Sequence, residues 1–152
     1  MKWIGSILLL FVAVLAGPVK AQNAAKPVPV FTVHGPTVVA FFTPVTEKEL
    51  ESDPDTNEAL SDFQFYNGAV RGPFQEAGIE FRETDALSFK VRIGKRVQTF
   101  PSAKIGVGYY LVAPGKKPHI VSGVMTDTDL LDLARKYFGR TIPYIVPKTG
   151  TH

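Results

Sequence analysis

Among its 152 residues the chain has no cysteine. Disulfides, thiol nucleophiles and thiolate metal sites are therefore excluded. So is lipoprotein anchoring, which needs a cysteine at the new N-terminus. Histidine is scarce: His34, His119 and His152 are the three present. Their spacing fits no metal pattern such as HExxH, and they read as isolated structural or surface side chains. HxH, GxSxG, GxGxxG and the Walker loop are all missing. No cofactor is expected.

A strong charge of one sign is missing as well. The formal net charge is +3. Lys2 and Lys20 lie in a segment that reads as removable, and without them 15 basic residues face 14 acidic ones. That balance gives no argument for a nucleic-acid partner.

What is there begins with an export signal. Met1-Lys2 is positive, and Ile7 to Ala16 is the unbroken apolar run ILLLFVAVLA. Gly17-Pro18 breaks the run, and Val19-Lys20-Ala21 puts small residues at −3 and −1 of a cleavage site. This is the layout of a secretory signal peptide. An uncleaved anchor is the alternative, but the run is shorter than the roughly 20 apolar residues that span a bilayer. Cleavage after Ala21 gives a periplasmic or secreted protein with no stable membrane anchor. Exported proteins commonly use disulfides; this one must rely on its core.

The organisation follows from punctuation and periodicity. Residues 1–21 are the signal peptide, 22–36 an N-terminal arm, 37–139 one domain and 140–152 an extended tail on the surface or on a partner. Val30 to Val33 adds a short extended segment. Thr37 to Phe42 is a continuous β-branched and aromatic run, the pattern of a strand buried on both faces. Glu47 to Asp62 carries seven acids and one lysine. A helix starts within it, with Asp55 or Thr56 as N-cap and Glu58 completing a capping box. Leu60, Phe63, Tyr66 or Asn67, Val70, Phe74 and Ala77 form one helical stripe. Gly72-Pro73 predicts a kink or break in it, and Gly78 closes it.

Ile79 to Thr84 alternates as a strand does. Leu87 to Ile93 has period two, and Gly94-Lys95 can turn it into a partner strand over Val97 to Phe100. A helix within 86–100 is the alternative. Gly106 to Val112 and His119 to Val124 make a second hairpin around a Pro-Gly turn. Tyr109 and Tyr110 then point to opposite faces. Thr126 caps a last helix, whose apolar face is Leu130, Leu131, Ala134, Tyr137 and Phe138, and which Gly139 ends.

The C-terminal half, GYYLVAPGKKPHIVSGVMTDTDLLDLARKYFG, resembles the thioredoxin ending, and PTVVAFFTP resembles the strand that leads to the thioredoxin active site. The resemblance implies a thioredoxin-like mixed α/β sheet flanked by helices, with a long kinked first helix and a C-terminal helix. It does not imply thioredoxin activity. Such proteins carry CxxC at the start of the first helix and a cis-proline before the hairpin strand. Here there is no cysteine, Gly106-Val107-Gly108 stands near the proline position, and the loop from Thr43 to Pro54 is longer.

The expectation is a redox-inactive binding or assembly module with a protein partner. Its candidate binding residues are Thr43, Pro44, Thr46, Glu47, Glu49, Gly108 and Tyr109. An enzyme reusing the same pocket with Asp/Glu, Tyr or His is the alternative. A calcium or surface-binding role is a third reading. Asp53, Asp55 and Asn57 begin like a calcium loop, but Glu58 and Gln64 stand where it needs Gly and Glu, which favours a solvated helix entrance. The basic residues from Lys90 to Lys117 read as the wet face of a strand pair. Intact-mass measurement of the exported chain is expected to find Gln22 at its N-terminus; a mass that retains residues 1–21 would overturn the signal-peptide reading.

Overall fold

The computed structural model describes residues 27–145. The segment read as a signal peptide, the start of the arm and the last seven residues of the tail lie outside the described residues. The elements are β1 (Val30–Val33), β2 (Thr37–Phe42), α1 (Glu47–Ser52), α2 (Pro54–Glu76), β3 (Glu80–Thr84), β4 (Phe89–Ile93), β5 (Arg96–Phe100), β6 (Val107–Val112), β7 (His119–Ser122) and α3 (Asp127–Phe138). A single 3-10 turn, Ser102–Lys104, precedes β6.

The main sheet has the order β3-β2-β6-β7. β2 runs parallel to β3 and antiparallel to β6, and β7 runs antiparallel to β6. A second sheet has the order β1-β4-β5, with β1 parallel to β4 and β4 antiparallel to β5. The class is α/β with mixed sheets, as the sequence predicts. The helix considered within 86–100 does not form. Phe89 pairs Phe100 and Ile93 pairs Arg96 across a hairpin. Gly94, at φ +56°, supplies its turn, where a side chain would be strained.

Alternation along β2 and β6 divides the core in two. Val38, Ala40, Tyr109 and Leu111 face the helices and pack with Phe63, Val70, Phe74, Leu130 and Leu131. Val39, Phe41, Tyr110 and Val112 face the small sheet and pack with Val33, Phe89, Val91 and Phe100. The result is three layers: helices, main sheet, small sheet. Aromatic rings fill the space between the sheets. Phe100 lies 5.3 Å from Phe41, 5.0 Å from Phe89 and 5.0 Å from Tyr110, centroid to centroid.

The acidic segment after β2 is two helices where one was expected. Thr46, and neither Asp55 nor Thr56, provides the capping box, and it does so for α1. Pro54 is the reason for the split. It occupies the first turn of α2 and forces Asp53 to an extended conformation, φ −128° and ψ 92°, which ends α1. α2 then runs without a break through Gly72 and Pro73 to Glu76. Its last turn is held by a Schellman closure. The Ile79 amide donates to the Phe74 carbonyl at 2.8 Å, and the Gly78 amide to the Gln75 carbonyl at 3.1 Å. Phe74 and Ile79 are both buried.

The root of the tail also departs from expectation. Ile142 is core, at 2% exposure. Arg135 donates from Nε and Nη2 to the Ile142 carbonyl at 2.9 and 2.7 Å. Its guanidinium lies 3.7 Å from the centre of the Tyr144 ring. The sequence places the tail on the surface or on a partner; at its root, burial against α3 removes Ile142 from water instead.

Phe89 is fully buried and central to the inter-sheet cluster. Phe89→Ala is expected to cost about 3–5 kcal/mol in urea unfolding. A loss under about 1 kcal/mol would mean that the small sheet is not a structural layer.

Candidate functional site

Two regions hold polar side chains in a defined geometry. The first is the C-terminal end of β2. There the Thr43 amide and the Thr43 hydroxyl both donate to the Gly106 carbonyl, each at 2.6 Å. This joins the loop after β2 to the turn before β6. Pro44 follows as an exposed loop residue. Thr46 and Glu49 then satisfy one another. The Thr46 amide donates to Glu49 Oε2 at 2.8 Å, and the Glu49 amide donates to Thr46 Oγ1 at 3.2 Å. The Thr46 amide, then its hydroxyl, holds the Glu49 carboxyl below the usual range. Glu47 is an exposed acid in the first turn of α1, where it suits the helix dipole.

Gly108 has a packing role. A Cβ there would lie 2.1 Å from the Val121 carbonyl oxygen and 3.0 Å from Phe41 Cζ. Only glycine lets β6 lie so close to β7 and Phe41.

Tyr109 lies in the core on the helix side, at 0% exposure. Its hydroxyl donates to Asn67 Oδ1 at 3.2 Å. Asn67 Nδ2 donates to Glu83 Oε1 at 2.9 Å, and Arg71 pairs with Glu83 at the surface. The chain Tyr109–Asn67–Glu83–Arg71 carries hydrogen bonds from core to solvent. Burial pushes the Tyr109 hydroxyl up to about 12, with the Met125 backbone partly opposing the shift. Asn67 was legible as the one polar residue that could stand in the apolar stripe of α2; Glu83 and Arg71 gave no signal beyond strand and helix position.

So the structure joins Thr43 to Gly106, gathers Thr46, Glu47 and Glu49 at the start of α1, and buries Tyr109, next to Gly108 on β6, in the helix-side core. A depression of about 310 Å³ lies nearby, lined by Phe42, Leu60, Phe63, Gln64, Glu83 and Asp85 among others. Asp53 accepts from the Thr56 hydroxyl at 2.5 Å inside the first turn of α2. Among the described residues no group of three or more His, Asp or Glu side chains could hold a metal ion. No helix of the described residues is long and apolar enough to cross a membrane.

The second region is at the other end of the main sheet. β6 is antiparallel to β2, so the turn after Val112 lies beside Thr37, the start of β2. Three grooves adjoin this turn. One, of about 490 Å³, is lined by Lys116, Lys117, His119, Leu133, Lys136 and Tyr137. A second brings Arg96 beside Lys116 and Lys117. A third, also about 490 Å³, lies between Phe100, Tyr110 and Ile120, with Lys117 at its rim. No carboxylate lines any of them. Lys116 Nζ donates to the Tyr137 carbonyl at 2.7 Å, and the Tyr137 hydroxyl to the Lys117 carbonyl at 2.8 Å. The His119 and Tyr137 rings stack at 6.0 Å. Of the basic residues that read as the wet face of one strand pair, Arg96, Lys116 and Lys117 thus share an end of the molecule with Lys136, which no sequence pattern linked to them, while Lys104 lies before Gly106 at the other end.

No protein-family model, curated protein or solved structure gives a significant match to the chain.

Tyr109→Phe leaves the buried Asn67 oxygen without its donor and is expected to cost about 1–3 kcal/mol. The pH dependence has a defined sign. A phenol whose value is raised on folding stabilises fully below its unfolded value near 10, and that stability is lost as pH rises toward 12. Wild type should lose stability more steeply than Tyr109→Phe over that interval, measured by thermal melting; parallel slopes would overturn the assignment.

Proposed function

We propose that the chain is a thioredoxin-like module, periplasmic or secreted, that binds a protein partner and performs no thiol redox chemistry. The order of elements supports the scaffold. A parallel pair joined by a helix (β2, α2, β3) is followed by an antiparallel hairpin and a helix (β6, β7, α3), the order implied by the sequence resemblance. β1, β4 and β5 form an added layer over the face opposite the helices.

One observation carries the non-enzymatic reading. At the end of β2, where such a scaffold holds its reactive pair, the Thr43 amide and hydroxyl both converge on one carbonyl, that of Gly106. The polar groups next along the chain, Thr46 and Glu49, complete a helix cap. These groups are committed to holding the backbone, and a reacting group needs a partner in substrate. Among the described residues no buried side-chain nitrogen or oxygen lacks a partner. In the neighbouring depression, Glu83 is engaged by Asn67 and Arg71. This weighs against an enzyme that reuses the pocket.

Affinity capture with the full chain as bait, from the native cell-envelope fraction, is the test. A saturable protein partner is expected, with insulin-disulfide reduction at the buffer rate. Absence of any saturable partner, or reduction above the buffer rate, would overturn the proposal.

A further inference from the structure

The main sheet ends in two edges of different character. The β3 edge, EFRET, is charged. Arg82 pairs with Glu80 along it, and Glu83 is held from α2. Charge of this kind is how sheet edges are kept from pairing with other chains. The β7 edge, HIVS, pairs only with β6 among the described residues, and carries no Asp, Glu, Lys or Arg. Ile120 on it is 44% exposed.

The two faces of β7 open into two of the grooves. Paired residues share a face, so His119 and Val121 lie on the helix side with Leu111 and Tyr109, while Ile120 lies on the small-sheet side with Tyr110. His119 accordingly lines the groove against α3, and Ile120 lines the groove against Phe100 and the edge of β5. A strand added beside β7 would send its side chains alternately into these two grooves. Lys117 borders both, and Lys116 and Lys136 border the helix side.

We propose that the β7 edge is the docking site of the module and takes an extended, acidic segment of a partner protein as a fifth strand. The inference rests on the binding-module reading and names the edge that does the binding. Backbone pairing supplies attachment, and the grooves supply selectivity. Carboxylates of the segment meet Lys117 and Lys136, and apolar side chains meet Ile120, Phe100 and Tyr110. Concave grooves flanking an open strand edge favour a peptide over an anionic membrane, which a flat basic face would suit better.

The probe is a labelled octapeptide of alternating Glu and Val, added to the full chain. Fluorescence anisotropy reads affinity, and amide hydrogen exchange reads where it docks. Binding is expected to weaken at least tenfold when salt rises from about 0.05 to about 0.5 M, and to protect amides within 119–122. Ile120→Lys, which puts a charge on the edge, and Lys136→Glu, on the exposed face of α3, should each weaken it at least fivefold while melting close to wild type. A peptide N-methylated at alternate residues on its pairing edge should not bind. Equal binding by the N-methylated peptide would overturn the proposal. So would tight binding of phosphatidylglycerol vesicles with no peptide protection at 119–122. Persistent partner capture by Ile120→Lys would overturn this edge alone and leave the module standing. Peptide docking at β7 without any envelope partner would support the edge and overturn the envelope-module proposal.

Discussion

The pairing of β2 with β6 is the constraint on which the rest of the structure depends. Both strands are buried on both faces, and six residue pairs align them. A chain without disulfides must remove apolar area from water by packing alone. A strand pair that is apolar on two faces needs two covers. α2 and α3 cover one, and the β1-β4-β5 sheet covers the other. Gly108 then sets how near β7 can approach, so the width of the sheet follows from one missing side chain.

The same arrangement sorts the charge. α2 begins where β2 ends and returns along it, since β2 and β3 are parallel. β7 runs the same way as β2, so α3 begins at that end too. The two helices therefore point in one direction, and their dipoles add. Acids stand at their starts: Asp55 in the first turn of α2, and Asp127 with Asp129 in that of α3, as Glu47 and Glu49 do in α1. Cations gather at their shared end. Arg140 donates to the Ala77 carbonyl at 2.9 Å, and Lys116 to that of Tyr137. Space therefore gathers Lys116, Lys136 and Arg140 at the end of the sheet away from Asp55, Asp127 and Asp129, although Glu80, paired with Thr37, shares that end.

Much of the fold was legible because local signals agreed with the tertiary outcome. Thr37–Phe42 reads as a doubly buried strand, and Thr126 with Gly139 brackets the last helix. Misreadings came where local rules competed. The acidic segment offers two capping sets, and the extended conformation before Pro54 decided between them. Ile142 looked exposed because its neighbours are turn formers, and only α3 shows what covers it. The site was less legible than the fold. Thr43, Thr46 and Glu49 stood out in the sequence as polar residues after a buried strand, but the Gly106 carbonyl that Thr43 meets and the cap that joins Thr46 to Glu49 were not legible. The basic end was missed as a unit, because Arg96, Lys117 and Lys136 come from three elements and only the folded chain brings them together.

The parallel helices have a consequence for how the protein meets anything charged. A body with opposite charge at its two ends feels a torque in an electric field before it touches the source. Near an anionic object the lysines of the β6–β7 turn favour that end as the leading one, working against the negative poles of the two helices that point the same way. Random tumbling then gives way to a biased approach, and the fraction of collisions that arrive correctly turned increases. The orientation of the encounter is set by which charged side chains the run of two helices gathers at each end, before any of them makes contact.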